Sequence, residues 1–261
     1  MEREPDPLAA IDIVLVEPSG PRNLGAVARV MKNMGLHQLI LVDPHCDPKD
    51  IDAYWTAVHA RDILDRIRIV KTLPEALRGY QRVIGTTGRE QNYPPEWHLE
   101  TPRQAFSWLL QGKTGALVFG PEDRGLSNEE LSLCQRHVKI PTAQVYPSLN
   151  LAQAVGICCY ELHIMTLDPE YSPPTKPPHQ VSIAVMEEFY DHLASSLLHI
   201  GYLQSQTAQR KLAKFRALFN RAELTLSDIA LLRGIFRQLN WAYDQASRST
   251  GGTPHGTHCS H

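Results

Sequence analysis

Val145-Tyr-Pro-Ser-Leu-Asn-Leu-Ala-Gln-Ala-Val-Gly-Ile157 is the stretch whose reading decides the fold. The apolar run His137-Val-Lys-Ile-Pro141 precedes it and reads as a strand. After Pro147-Ser148 the period changes: Leu151, Val155, Cys158, Leu162 and Met165 recur at helical spacing, so one helix face is buried. Ser148 has the side chain of an N-cap and Pro147 favours an extended entry, which predicts a helix from Leu149. Ala152, Ala154 and Gly156 are small enough to let another backbone or a ligand approach. A strand that turns directly into a half-buried helix is the building unit of an α/β sheet.

The same unit recurs upstream. Asp12-Ile-Val-Leu-Val-Glu17, Gln38-Leu-Ile-Leu-Val-Asp43, Arg68-Ile-Val-Lys71, Arg82-Val-Ile-Gly-Thr-Thr-Gly88 and Gly115-Ala-Leu-Val-Phe119 read as strands. Helical patterns lie between them at residues 23–34, within 51–64, and at 73–78 and 101–110. Gly35, Gly79 and Gly112 follow three of these as stops. Ser127-Asn-Glu-Glu130 has capping-box spacing. Continuous apolar strands alternating with helices predict an α/β fold, a mostly parallel sheet with helices on both faces. Its domain is expected to span residues 1–168. The five-proline stretch that follows makes 169–180 a stiff linker. Three helical patterns, at 183–200, 206–221 and 227–245, then predict a small C-terminal all-helical extension over 181–246, with a frayed tail at 247–261. Leu231, Ile235 and Leu239 mark the spacing of the last helix.

Bulk composition narrows the function classes. The 261 residues are 43% hydrophobic, enough for one substantial domain and a smaller one, and the net charge of −2 gives no global pull toward nucleic acid. No apolar run is long enough to span a bilayer and residues 1–7 resemble no signal peptide, so a cytoplasmic protein without membrane contact is expected. The five cysteines show no CxxC spacing and read as reduced thiols, mostly buried. His255, His258, Cys259 and His261 crowd the tail, but no spacing matches a structural zinc site, and no metal is expected. Neither GxGxxG after the first strand nor GxxxxGK[ST] is present, which argues against dinucleotide and P-loop sites.

Ligands of parallel sheets sit beyond the carboxyl ends of the strands. Three Gly-bearing or Pro-bearing loops fall there: Thr86-Thr87-Gly88, Gly120 to Gly125, and the segment from Ile140 to Leu149. Together they offer main-chain donors and acceptors between apolar walls at Ile140 and Leu149, which suits a flat ligand such as an adenine ring.

Asn23-Leu-Gly-Ala-Val-Ala-Arg29, Leu117-Val-Phe-Gly-Pro-Glu-Asp-Arg-Gly-Leu-Ser127 and Ser148-Leu-Asn150 resemble the three motifs of the SPOUT-class RNA ribose 2′-O-methyltransferases of the TrmH family. The resemblance covers residues 10–165. It implies a trefoil-knotted domain, a homodimer, and S-adenosylmethionine as methyl donor. It places the cofactor on Thr86, Thr87, Gly88, Gly120, Ile140, Pro147, Ser148, Leu149 and Asn150. The catalytic set it implies is Arg29, Asn23, Glu122 and Ser148, with Arg29 of one subunit meeting the cofactor of the other. The first strand starts near residue 11, leaving no N-terminal substrate-binding extension, while the helical C-terminus with Leu232-Arg-Gly-Ile235 is similar to that of the TrmJ branch. That branch implies tRNA as partner and the pyrimidine at position 32 of the anticodon loop as target. Arg22, Arg89, Arg210, Lys211 and Lys214 are the expected RNA contacts. Two departures stand out: Gly120-Pro-Glu122 where some members have Gly-Arg-Glu, and Tyr146-Pro-Ser148 where a second serine is common. A TrmH-like enzyme acting on rRNA or another tRNA position, and an RNA-binding protein with a vestigial pocket, are the alternatives.

Overall fold

A computed structural model describes residues 6–88, 94, 97–167, 181–204, 206–222 and 224–250. Arg89 and the linker at 169–180 lie outside the described residues. Seven strands form one sheet: β1 (Ile11–Val16), β2 (Leu39–Val42), β3 (Arg68–Val70), β4 (Arg82–Thr87), β5 (Leu99–Glu100), β6 (Gly115–Phe119) and β7 (Arg136–Lys139). Their order is β3-β2-β1-β6-β4-β7-β5, and every pair is parallel. β5 is a two-residue edge strand that its sequence does not announce: a Leu-Glu pair carries no alternation to read.

Strand alternation sends the apolar residues to two separate cores. Ile11, Ile13, Leu15, Leu41, Leu117 and Phe119 point to one face and pack under α1 (Pro21–Asn33), α2 (Ile51–Ala57), α3 (Arg61–Asp65), α5 (Pro102–Leu110) and α7 (Leu151–Leu167). Val14, Val16, Ile40, Val42, Ala116 and Val118 point to the other, covered by α4 (Leu73–Leu77) and α6 (Asn128–Ser132). Burial on both faces is why these strands lack polar alternation. Two glycines let helices pack closely in these layers. A Cβ on Gly25 would lie 2.2 Å from the Ala53 carbonyl oxygen, so α1 and α2 pack backbone to backbone. A Cβ on Gly85 would meet Leu131 and Cys134 at 2.8 and 2.9 Å, where α6 sits down on β4.

α7 does not begin where its sequence suggests. Its first helical residue is Leu151, and the cap is Asn150, whose Oδ1 accepts from the backbone N–H of Ala152 at 2.9 Å and Gln153 at 3.4 Å. Ser148 is therefore not the N-cap. Asn150 is one of the strongest capping types, and its use leaves Pro147, Ser148 and Leu149 outside the helix, free to line a cleft. Gly156 faces Val30, whose Cγ2 would lie 3.5 Å from an added Cβ, and so brings α7 against α1.

The C-terminal extension is α8 (Ile183–His199), α9 (Ala208–Ala222) and α10 (Leu226–Thr250). Its core centres on Phe189, edge-on to Phe219 at 5.2 Å and stacked with Phe236 at 6.1 Å. The Arg216 guanidinium pairs bidentately with Glu187, at 2.5 Å for each bond, and lies 4.3 Å from the Tyr190 ring centroid. Arg216 is thus an internal tie of the helical bundle and not part of a free basic face. Ile183 joins the second sheet core, and its N–H donates to the Tyr80 carbonyl at 3.0 Å, which docks the extension on the sheet. α10 continues to Thr250, past the expected end at 245. Its buried residues are Ile229 and Phe236, while Leu231, Ile235 and Leu239 lie on its exposed side.

Candidate active site

The carboxyl ends of β4, β6 and β7 come level because their registers align: Gly85 sits beside Val118, and Thr87 beside Lys139. The loops that leave those ends meet in one cleft. It is lined by Thr86, Thr87, Gly88, Phe119, Gly120, Pro121, Glu122, Gly125, Ile140, Pro147, Ser148, Leu149, Leu151 and Ala154. Eight of the nine residues expected to hold the cofactor are among these, the exception being Asn150. Phe119, Pro121, Gly125, Leu151 and Ala154 line it as well. The first three lie within the quoted second motif, and the last two follow from helical period once the start of α7 is known.

Each wall is held from behind. Thr86 Oγ1 donates to the Val118 carbonyl at 2.9 Å and ties β4 to β6. Gly120 admits no side chain: its Cβ would fall 2.2 Å from both the Gly125 carbonyl carbon and the Leu126 nitrogen. Gly125 has φ +66°, the left-handed region where glycine is favoured. Arg124 fastens the loop between them, donating to Glu17 at 2.8 Å, to both Glu130 oxygens at 2.9 and 3.0 Å, and to the Gly125 carbonyl at 3.0 Å. These carboxylates raise the Arg124 pKa despite the opposing effect of burial. Ser127 and Glu130 form the expected capping box, with bonds of 2.6 and 3.1 Å. The third wall is closed by Thr142 Oγ1, which donates to the Pro147 carbonyl at 3.2 Å.

Glu122 joins the cleft to α1. Its Oε1 accepts from Asn23 Nδ2 at 2.8 Å and from the Gly20 N–H at 3.2 Å. Its Oε2 accepts from the Ser19 N–H at 3.2 Å and Oγ at 3.1 Å. Burial pushes this carboxyl toward protonation, but the bonds from Asn23, the backbone and Ser19 outweigh it, and the pKa is lowered overall. The residue capping α1 is Gly20, which has no side chain to give, so Glu122 brings an anion to that helix end from far along the chain. Asn150 Nδ2 then donates to Asn23 Oδ1 at 3.0 Å. One relay, Asn150–Asn23–Glu122, therefore ties together all three recognised motifs. Ser19 and Gly20 belong to it, although the Pro-Ser-Gly-Pro sequence reads only as a turn.

Arg29 stands apart from the cleft. It lies six residues beyond Asn23, about 9 Å along the helix axis. Its side chain is exposed, with no hydrogen bond or ion pair among the described residues. Arg22 is exposed and pairs with Asp52 at 3.1 Å. Lys211 donates to the Tyr202 carbonyl at 3.1 Å and lies over that ring, and Arg210 and Lys214 are exposed on α9.

A second cleft, of about 250 Å³ against about 100 Å³, runs between the β5–β7 edge and α9, lined by Trp97, Arg136, His137, Arg216, Asn220 and others. It lies toward the amino ends of its strands and contains none of the motif residues. The smaller cleft is the one that gathers the motif loops, the apolar walls and the unblocked Gly88. An added Cβ at Gly88 would find nothing closer than the Pro147 carbonyl oxygen at 4.0 Å. These residues fit an adenosine-like group: main-chain polar atoms at the strand ends, with Ile140, Leu149 and Leu151 as apolar faces. Among the described residues no three His, Cys, Asp or Glu side chains cluster as metal ligands would, and no helix is long and apolar enough to cross a membrane.

Known proteins match this chain along its length. Residues 10–160 match the SpoU rRNA Methylase family, and residues 184–251 match the C-terminal domain of tRNA methyltransferase TrmJ. The tRNA (cytidine/uridine/adenosine-2′-O-)-methyltransferase TrmJ of Pseudomonas aeruginosa is 38% identical over 244 residues, 88% of this chain and 94% of the relative. The tRNA (cytidine/uridine-2′-O-)-methyltransferase TrmJ of Pectobacterium atrosepticum is 38% identical, covering 90% of this chain and 98% of the relative. The crystal structure of TrmJ from Z. mobilis superposes with a TM-score of 0.75 at 28% identity, covering 88% of this chain and 99% of that one.

Proposed function

The chain belongs to the TrmJ family of tRNA methyltransferases, and from that premise we propose that it methylates the ribose 2′-hydroxyl of the anticodon-loop pyrimidine at position 32, with S-adenosylmethionine as donor. The observation that carries this reading is the convergence of the three motif loops on one cleft, joined by the Asn150–Asn23–Glu122 relay. The match over 184–251 favours tRNA over rRNA, since it covers the extension that the general SpoU match leaves out.

The donor supplies a methyl group already activated on a sulfonium. The protein's task is alignment, with loss of one proton from the acceptor hydroxyl. Alignment alone supplies roughly 7–11 kcal/mol in favourable cases. Thr86–Gly88, Gly120 and Ile140 to Leu149 hold the adenosine portion. Arg29 is not a base, because a guanidinium stays protonated. It comes from a second copy of the chain, as its absence from the lining of its own cleft supports, donates hydrogen bonds to the acceptor ribose and its phosphate, and stabilises the developing alkoxide. Glu122 accepts four hydrogen bonds from Ser19, Gly20 and Asn23 and has no spare role in proton transfer. It is a positioning residue that sets α1 against the cleft, as Asn23 and Asn150 are. Ser148, exposed at the rim, orients the acceptor. Arg22, Arg210, Lys211 and Lys214 contact tRNA phosphates, whose neutralisation supplies much of RNA affinity. The site of action is the cytoplasm, where tRNA is modified.

The test is methyl transfer to unmodified tRNA transcripts, with the product nucleoside identified and located. The expected product is 2′-O-methylcytidine or 2′-O-methyluridine at position 32. A methyl group on a base, or on another nucleotide, rules the assignment out.

A further inference from the structure

We infer that Tyr146 is the stacking platform for a nucleobase next to the target ribose. Tyr146 is 78% exposed, and its neighbour Val145 is 97% exposed. The next three residues, Pro147, Ser148 and Leu149, line the cleft. The ring therefore projects outward from the same short loop that frames the methyl donor inside.

This loop is not loose. The Tyr146 N–H donates to the Ala143 carbonyl at 3.1 Å, Thr142 Oγ1 holds the Pro147 carbonyl at 3.2 Å, and Asn150 anchors the end of the loop to α7 and to Asn23. The backbone beneath the ring is thus fixed at both ends while the ring itself has no hydrogen-bond or aromatic partner among the described residues. A tyrosine held out in water forgoes the burial that its ring would otherwise contribute, so its position at the cleft rim points to an occupant that arrives with substrate.

The chemistry of that occupant follows from what the cleft does, and the inference rests on the ribose-methylation reading above. An acceptor 2′-oxygen must come within about 3–3.5 Å of the reacting carbon. Its own base or the adjoining one then lies within a nucleotide's length of the rim. Bases of single-stranded loops are unstacked readily and rest on aromatic side chains. Stacking is tolerant of base identity because every base has a π-face. A platform of this kind fixes the ribose without demanding cytosine or uracil.

The experiment compares the full-length protein with its Tyr146→Ala and Tyr146→Phe variants. It measures binding of an unmodified tRNA transcript by anisotropy, methyl-transfer kinetics, calorimetric binding of S-adenosylmethionine, and mass in solution. Tyr146→Ala is expected to weaken transcript binding and raise KM for tRNA by about ten-fold or more. Tyr146→Phe, which keeps the ring, should stay within about two-fold of wild type. Cofactor affinity and mass should not change in either variant. Unchanged tRNA affinity in an active Tyr146→Ala variant overturns the inference while leaving the methylation reading intact. Reduced cofactor affinity, or a lower mass in solution, also overturns it, assigning the ring to the cleft or to a subunit interface. A wild-type protein that neither binds nor methylates tRNA brings down both.

Discussion

Replacing Glu122 by glutamine keeps its shape and removes its charge, which makes it the sharpest probe of the relay. The wild-type carboxylate accepts four hydrogen bonds, two on each oxygen, at 2.8 to 3.2 Å. A glutamine has one acceptor oxygen. Turned toward Asn23 and Gly20, it leaves its NH2 facing the Ser19 N–H, donor against donor. The Ser19 hydroxyl can rotate to accept, but the backbone N–H cannot. One bond is therefore lost and the others drop from charge-assisted to neutral. Bonds to a charged group contribute about 1.5–3 kcal/mol against about 0.5–1.5 for a neutral one. Half-exposure reduces this, so a net loss of about 2 kcal/mol is expected, or roughly 4–8 °C in Tm for a chain of this size. The pH dependence adds an independent check. The folded pKa of Glu122 lies below its ordinary value of 4.5, so its stabilising effect is fully present above that value and disappears as pH falls through the folded pKa. Urea midpoints of wild type and Glu122→Gln should differ most at neutral pH and converge as the pH is lowered below about 4.5. Equal midpoints at pH 7, or a gap that persists unchanged in acid, would refute the reasoning.

Four further outcomes are expected. Gly120→Ala should abolish cofactor binding and lower Tm, because its Cβ meets backbone at 2.2 Å, whereas Gly88→Ala should fold normally and lose only cofactor affinity; calorimetry and thermal scans separate the two. Arg29→Ala should abolish turnover yet leave Tm and S-adenosylmethionine affinity unchanged, since the side chain is exposed and unbonded; full activity removes Arg29 from the mechanism. Asn150→Ala should cost about 1 kcal/mol of stability through the lost cap, read as a shifted denaturation midpoint, with reduced methyl transfer as its tie to Asn23 is lost. Cys134, Cys158 and Cys159 should resist iodoacetamide at pH 8 in the native protein, because burial pushes all three thiols up, Cys159 to about 12; rapid labelling of any of them contradicts the packed core.

Much of the fold is legible in the sequence because strands buried on two faces must be apolar throughout. Ile13-Val-Leu-Val16 and Leu117-Val-Phe119 leave no other reading. The cleft was legible for a related reason: glycines at strand ends and a proline before a polar turn can be counted, and Thr86, Gly88, Gly120, Ile140 and Ser148 do meet. What escaped detection depends on partners distant in sequence. Ser148 and Asn150 are both good capping types, and only the three-dimensional path decides that Asn150 caps α7. The ties of Glu122 to Ser19 and of Arg124 to Glu17 span more than a hundred residues. Arg216 follows Arg210, Lys211 and Lys214 along α9, and nothing local in the sequence shows that Glu187 claims it from α8. The exposed Leu231, Ile235 and Leu239 follow a faultless helical period, and period alone does not say which of two apolar stripes a bundle covers.

A crystal structure of the full-length protein with S-adenosylhomocysteine tests the central claim most directly. The adenosine portion is predicted to lie between Thr86–Gly88, Gly120 and the apolar pair Ile140 and Leu149, with its sulfur facing Arg29 of a second copy. Ligand bound instead in the cleft beside Trp97 and α9, or no binding at saturating concentration, contradicts the account.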